Sequence, residues 1–354
     1  MKICRVLVLS LAALHCLPAA REALAARLSF ERPMMGTSVE VILWGSDPEP
    51  SAKAVDRAYA EIKRIEEQLS VWRRESKVSE INRSAGEKPV QVPAELFELI
   101  RESIRISRAS DGAFDITVQG LGDLWDFRSP VFRVPDAEAV RARLNLIDYR
   151  KIRLQQEIST VFLEKSGMQI SLGGIAKGYA VDRTVEVLRE SGIKGGIVSA
   201  GGDLLAFGKR EDGGAWKVGV RNPRDPSKNI CVIPVSNLAV ATSGDYERYR
   251  MAGGRRYHHI IDPRTGYPSR GCMSVTVVAE HALEADALAT AVFVLGPEEG
   301  RALLEKFPDV EGIIVDGDGK VTASSGLTGT TEPSAEEKPD RSELHQKHNE
   351  LLIE

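Results

Sequence analysis

One apolar helix does most to constrain this chain. Leu283 to Leu295 is rich in Ala, Leu, Val and Phe, and the run stops at Gly296-Pro297, a common helix-ending pair. Within it, Ala285-Asp286-Ala287-Leu288-Ala289-Thr290 sets an acid and a hydroxyl four residues apart. Positions i and i+4 share a helix face, so Asp286 and Thr290 can aim their oxygens at one spot. An otherwise apolar helix has little reason to bury a carboxylate unless positive charge compensates it. Oxygen ligands of this kind suit a hard divalent cation such as Mg2+. The plainer alternative is that Asp286 pairs with an Arg while Thr290 bonds back to its own helix.

The 354 residues suffice for one large domain or two, each with a hydrophobic core. A formal charge of −4 and a pI near 6.0 leave no basic footprint, which argues against nucleic acid as a partner. Lys2 and Arg5 precede the apolar run Val6 to Leu14, and Ala23-Leu24-Ala25 is a small-x-small cleavage site. That is the layout of a secretory signal peptide over residues 1–25, its apolar run too short to span a membrane in the mature protein. Cys16 invites a lipoprotein reading, but Ala13-Leu14-His15 lacks the small residue wanted directly before a lipidated Cys. A soluble exported protein is therefore expected. The mature chain keeps Cys231 and Cys272, enough for one disulfide but not for a disulfide framework. No other segment is long and apolar enough to cross a membrane.

Ser38 to Trp44 alternates as a strand does, and Ser51 to Leu69 places Val55, Tyr59, Ile62, Ile65 and Leu69 on one helical face. A second helix starts near Pro93 and carries Leu96, Ile100 and Ile104; a third runs from about Ile175 to Glu190. Strand-like runs cover Gly196 to Phe207, Trp216 to Val220, Ile230 to Ala241, Ser274 to Ala279 and Gly312 to Val315. Irregular alternation with several neighbouring strands favours α+β over a doubly wound parallel sheet. Residues 328–354 are dominated by Glu, Lys, Ser and Pro, the composition of a disordered charged tail.

Several short stretches can carry chemistry. Ser171-Leu172-Gly173-Gly174-Ile175-Ala176-Lys177-Gly178 joins a strand-like stretch to a helix through paired glycines. Such glycines let backbone approach a ligand, and a helix N-terminus offers free N–H groups to an anion, with Lys177 adding charge. Neither nucleotide-loop fingerprint is matched, and a tight turn with a surface lysine explains the segment equally well. His258-His259-Ile260-Ile261-Asp262-Pro263 could end a strand with an imidazole placed as general base, or hold a structural His. No zinc motif is present. Asp316-Gly317-Asp318-Gly319-Lys320 reads as a hairpin turn, and Thr242-Ser243-Gly244 as a hydroxyl cluster or a simple turn. Trp72 and Phe114 could flank a flat aromatic ligand, although composition alone would bury both in the core.

In this order, the pieces resemble the ApbE family of FAD:protein FMN transferases. The matching segments are Met34-Met35-Gly36-Thr37, Leu69-Ser70-Val71-Trp72, Gly112-Ala113-Phe114-Asp115, Gly173 to Asp182, Ser199-Ala200-Gly201-Gly202-Asp203, Thr242-Ser243-Gly244, His259 to Gly266 and Glu284 to Thr290. Each is weak alone; together they cover roughly Phe30 to Gly326 in register. The resemblance implies a T-fold-like α+β domain over residues 26–327, its mainly antiparallel sheets flanked by helices, bilobed with FAD in the cleft. It implies Mg2+ on the Gly174 carbonyl, Asp286 and Thr290. Its FAD contacts would fall at Met35, Trp72, Ala113, Phe114, Asp115, Ser171, Lys177 and Ile260, with His259 and Asp286 catalytic. The expected activity is transfer of FMN from FAD to a Ser or Thr hydroxyl of a partner protein, with release of AMP. FAD hydrolysis to FMN and AMP, or non-catalytic FAD carriage, are the alternatives. The implied setting is the periplasm and the implied acceptors are domains of membrane redox complexes. Membrane contact would come only through those partners or, if Cys16 is lipidated, through a lipid anchor. One departure stands out: the family usually has Asp where this chain has Ser171.

Overall fold

The computed structural model describes residues 27–44, 47–210 and 212–327, with the backbone of 332–333. The signal peptide expected over 1–25 and nearly all of the tail expected over 328–354 lie outside the described residues.

The chain opens with a hairpin of β1 (Leu28–Met34) and β2 (Thr37–Leu43). Its loop, Met35-Gly36, has φ of 52° and 70°, the doubly positive turn that matches strand twist. β1 escapes the periodicity reading because it is largely exposed and carries Glu, Arg and Pro. α1 (Pro48–Leu69) buries the face expected of it. Then come α2 (Lys77–Arg83), β3 (Val90–Gln91), α3 (Ala94–Ala109), α4 (Ala137–Leu144), β4 (Ile152–Gln155) and β5 (Thr160–Leu163). The sheet β3-β5-β4 is antiparallel.

After α5 (Ala176–Glu190) the chain is mostly strand: β6 (Gly196–Ala200), β7 (Asp203–Phe207), β8 (Trp216–Arg221), β9 (Asn229–Val235) and β10 (Leu238–Gly244). Two hairpins follow, β11 (Tyr249–Ala252) with β12 (Arg255–His258), and β13 (Ile261–Asp262) with β14 (Tyr267–Pro268). The series closes with β15 (Cys272–Ala279), α6 (Ala282–Leu295), α7 (Pro297–Leu304), β16 (Glu311–Asp316), β17 (Val321–Ala323) and β18 (Glu332–Pro333).

Eight strands form one sheet in the order β1-β2-β6-β7-β10-β15-β16-β17, every pairing antiparallel. Alternation splits its side chains between two cores. Val41, Val198, Phe207, Ala241 and Val277 face the helices, while Ile42, Ile197, Ala206, Val240 and Val278 face β8 and β9. Enclosure explains why α6 is apolar all round: β10 and β15 pack on it, as do α5 and α7.

Two long runs read as single strands are in fact pairs. Gly196 to Phe207 folds back at Gly201-Gly202, whose φ of 63° and 97° suit glycine. Ile230 to Ala241 breaks at Ser236-Asn237, so β9 joins the small sheet and β10 the large one. Cys231 and Cys272 are buried free thiols in different cores, so the disulfide alternative is not realised.

Candidate functional site

The site grows out of one helix crossing. The first N–H groups of a helix have no intrahelical acceptor, and α5 and α6 each supply the other's. Gly178 N donates to Asp286 Oδ2 at 3.0 Å. Asp182 on α5 accepts from Ala282 N at 2.8 Å and Leu283 N at 2.9 Å at the start of α6. The crossing requires glycine: a Cβ on Gly178 would lie 2.1 Å from the Ala282 carbonyl oxygen.

Asp286 is 4% exposed. Its Oδ1 lies 3.9 Å from Lys177 Nζ, while that ammonium is in close contact with Asp203 Oδ2. Burial pushes the Asp286 carboxyl above its ordinary range, Lys177 opposing and Asp203 adding to the effect. Burial alone would lower Lys177, but Asp203 and Asp286 outweigh it and hold the ammonium charged. The compensating cation is therefore a lysine, not the arginine of the plainer sequence reading, and Lys177 is no idle surface residue. Asp203, buried just after the Gly201-Gly202 turn, also accepts from Thr242 N at 3.3 Å.

One turn along α6, Thr290 Oγ1 faces Ser243 Oγ at 3.4 Å instead of its own helix. The segment read as a possible turn at Thr242-Ser243-Gly244 is the end of β10. Gly174 completes the group: a Cβ there would stand 3.4 Å from Thr290 Oγ1 and 3.2 Å from Phe114 Cε2. The preceding loop is shaped by Ser171, whose Oγ accepts from Gly173 N at 3.3 Å and whose N donates to Ile116 O at 2.9 Å.

The two adjacent histidines have different tasks. His258 Nε2 lies 2.9 Å from the Ser269 carbonyl, and Ile260 N donates to His258 Nδ1 at 3.3 Å, so this buried imidazole is fixed neutral with its proton on Nε2. His259 has an edge open to solvent and lies near Arg248 and Lys177. Enclosure by protein, then the charges of Arg248, His258 and Lys177, push its pKa down to about 3, with the Arg248 carbonyl acting the other way. The positive charge that disfavours its protonation in the unliganded protein would welcome a polyanion, whose binding would offset that charge. Arg248 also ties this region to the first hairpin: its Nη2 donates to Gly36 O at 3.1 Å, and His259 N donates to Arg248 O at 3.0 Å. Met35 N is held by Glu66 Oε2 at 3.1 Å.

The remaining expected contacts vary in availability. Trp72 is 71% exposed, contrary to its compositional preference for the core, with the Arg128 guanidinium 4.3 Å above its ring. Its open face suits stacking, though no described contact joins it to the Asp286 group. Ala113, Phe114 and Ile260 are buried. Both oxygens of Asp115 serve the backbone, accepting from Thr117 N at 2.8 Å and Tyr149 N at 2.8 Å. The structure thus gathers Gly174, Lys177, Asp286, Thr290 and Phe114. It adds Asp203, Ser243 and Arg248, none of them singled out from the sequence as a site residue, although Ser243 belonged to a hydroxyl cluster. The first two stand in motifs noted there, Gly201-Gly202-Asp203 and Thr242-Ser243-Gly244, and a buried acid after paired glycines was the available signal.

The residues fit a hard cation. Asp286 offers a buried carboxylate whose protein partners are the Gly178 and Lys177 N–H groups and the Lys177 ammonium, on the same helix face as Thr290, whose hydroxyl meets that of Ser243. Among the described residues no three of His, Cys, Asp and Glu converge, so a zinc-type set is not what this site offers.

Comparison with known proteins identifies the family. A sequence model of the ApbE family matches residues 35–314. An FAD:protein FMN transferase of Klebsiella pneumoniae (strain 342) is 36% identical over 289 residues, 81% of this chain and 88% of that protein. One from Treponema pallidum (strain Nichols) is 34% identical, covering 83% of this chain and 86% of its own. The crystal structure of the ApbE protein from Thermotoga maritima superposes with a TM-score of 0.81 at 35% identity, covering 87% of this chain and 100% of that one. The flavin transferase ApbE of Vibrio cholerae gives 0.77 at 29% identity, covering 86% and 99%. With its antiparallel α+β fold and the crossing of α5 and α6 in place, the chain belongs to the ApbE family.

Proposed function

We propose that this protein is an FAD:protein FMN transferase that moves the FMN part of FAD onto a Ser or Thr hydroxyl of an acceptor protein. The observation that carries the reading is Asp286: a carboxylate buried on an apolar helix, beside Lys177, Thr290 and Ser243. Asp286, Thr290 and the Gly174 carbonyl would hold Mg2+, which when bound would neutralise charge on the FAD pyrophosphate. Lys177 and Arg248 attract and orient the same polyanion. Trp72 offers a stacking face to the isoalloxazine.

His259 accepts the proton of the acceptor hydroxyl. The hydroxyl oxygen bonds to the FMN-side phosphorus, the bond from that phosphorus to the bridging oxygen breaks, and AMP leaves with the electron pair. Positioning and electrostatics carry most of the acceleration in such a transfer. The signal-peptide layout of residues 1–25 supports a periplasmic setting, and the family supports acceptor domains of membrane redox complexes.

Mass spectrometry of such a domain incubated with this protein, FAD and Mg2+ tests the proposal. The expected result is acceptor mass increased by one FMN phosphoester, lost in EDTA. FMN and AMP released without labelled acceptor would make the protein a hydrolase, and unchanged FAD would make it a carrier.

A further inference from the structure

A cavity of about 250 Å³ is lined by His258 but not by His259. Four arginines stand in its wall, Arg224, Arg255, Arg256 and Arg270, against a single carboxylate, Asp245. That carboxylate is already saturated. Arg224 donates to both its oxygens, at 2.7 and 2.6 Å, and Arg256 donates to Oδ1 at 3.0 Å. Among the described residues neither Arg255 nor Arg270 has an ion-pair partner, and Arg255 rests 5.4 Å from the Tyr257 ring centre. The hydroxyl of Ser269, also in the wall, is buried without a hydrogen-bonded partner. The FAD reading uses none of these groups.

A wall with more guanidinium than carboxylate, plus an unsatisfied hydroxyl donor, is a receptor for an oxyanion: planar Arg forks match carboxylate and phosphate oxygens in pairs. Its volume falls below the range usual for a drug-sized ligand, so it suits one anionic group and not a dinucleotide. We infer that this cavity is an oxyanion subsite, separate from the FAD pyrophosphate site, that binds a carboxylate or phosphate group through Arg255, Arg270 and Ser269. The group has two sources of the same chemistry: an acidic side chain of the acceptor protein, or the phosphate of a free nucleotide such as AMP. Only the choice between them rests on the transferase reading.

The probe is inorganic sulfate, titrated calorimetrically into the full protein without Mg2+ or FAD. Wild type should bind it at a site that survives Asp286→Ala and Arg248→Ala and weakens at least tenfold in Arg255→Ala/Arg270→Ala. Both arginines are exposed, and an unchanged melting temperature confirms that the double variant is folded. Ser269→Ala should weaken binding to a smaller degree. Equal affinity in wild type and the double variant, or no binding, overturns the subsite whatever the protein's activity. In transfer assays, sulfate that raises the acceptor KM but not the FAD KM identifies the acceptor's acid as the source. Sulfate that weakens AMP product inhibition identifies the nucleotide phosphate. An effect on neither overturns a role in the reaction.

Discussion

Gly178→Ala separates the effect of helix propensity from that of tertiary packing by the sign of its outcome. Within a helix alanine is favoured over glycine by up to about 1 kcal/mol, so propensity alone forecasts a stabilised α5 even for Gly178 in its first turn. The crossing forecasts the reverse. The new Cβ would lie 2.1 Å from Ala282 O, 2.5 Å from its carbonyl carbon and 2.7 Å from Leu283 N, all backbone atoms that no rotamer change can move. Relieving this demands a separation of roughly 1 Å between the helices. That would stretch the 3.0 Å bond from Gly178 N to Asp286 and the bonds from Ala282 and Leu283 to Asp182. Overpacking costs about 1–3 kcal/mol, and a lost hydrogen bond to a charged group about 1.5–3 kcal/mol. Set against the propensity gain, a net destabilisation on the order of 3 kcal/mol follows, a large share of a typical folding free energy. Urea denaturation gives the stability, and direct Mg2+ titration calorimetry should show a concurrent loss of metal affinity as Asp286 moves. Gly192→Ala is the control: its φ is +85° but nothing lies within 4 Å, so it strains the backbone without touching the site. A Gly178→Ala protein as stable and as metal-competent as wild type would refute the coupling of α5 to α6.

Four other outcomes are expected. Asp286→Ala should abolish transfer in a folded protein and cost more than Thr290→Ala, because a carboxylate is the stronger ligand; normal turnover in excess EDTA would remove the metal. His259→Ala should lower turnover with little change in FAD affinity, whereas His258→Ala, which breaks two ring hydrogen bonds, should lower stability; a His259 loss confined to FAD binding would make that residue a positioning group. Ser171→Asp should reduce the Mg2+ concentration for half-maximal rate, since the loop it shapes leads into Gly174, and superimposable Mg2+ curves would place the side chain remote from the ion. Burial pushes the Asp182 carboxyl from 3.8 up to about 6, against the Leu283 and Ala282 N–H bonds. The folded state therefore holds the extra proton between those values, and this group's contribution to stability falls as pH rises through the window. Asp182→Asn should remove that part of the pH dependence of the denaturation midpoint, and an unchanged profile would contradict it.

Much of the architecture was legible in the residue pattern because it depends on local periodicity. The buried face of α1, the start of α3 and the extents of α5 and α6 follow from spacings of hydrophobic residues that one element carries by itself, and the α+β class from the order in which helices and strands alternate. The pairing of Asp286 with Thr290 on α6, the candidate cation ligands, was visible for the same reason, since the two are neighbours on one helix face. Periodicity failed where an element's environment is not alternating: exposed β1, and the apolar runs that turn at Gly201-Gly202 and Ser236-Asn237. The tertiary structure alone decided which cation faces Asp286, which of two adjacent histidines keeps an edge open to solvent, and that Trp72 stands in solvent. It also decided that Asp203 and Ser243 join the site from β7 and β10. Those facts depend on contacts between residues far apart in the chain, through hydrogen bonds and charges whose partners are fixed only when α5, α6 and the large sheet pack together.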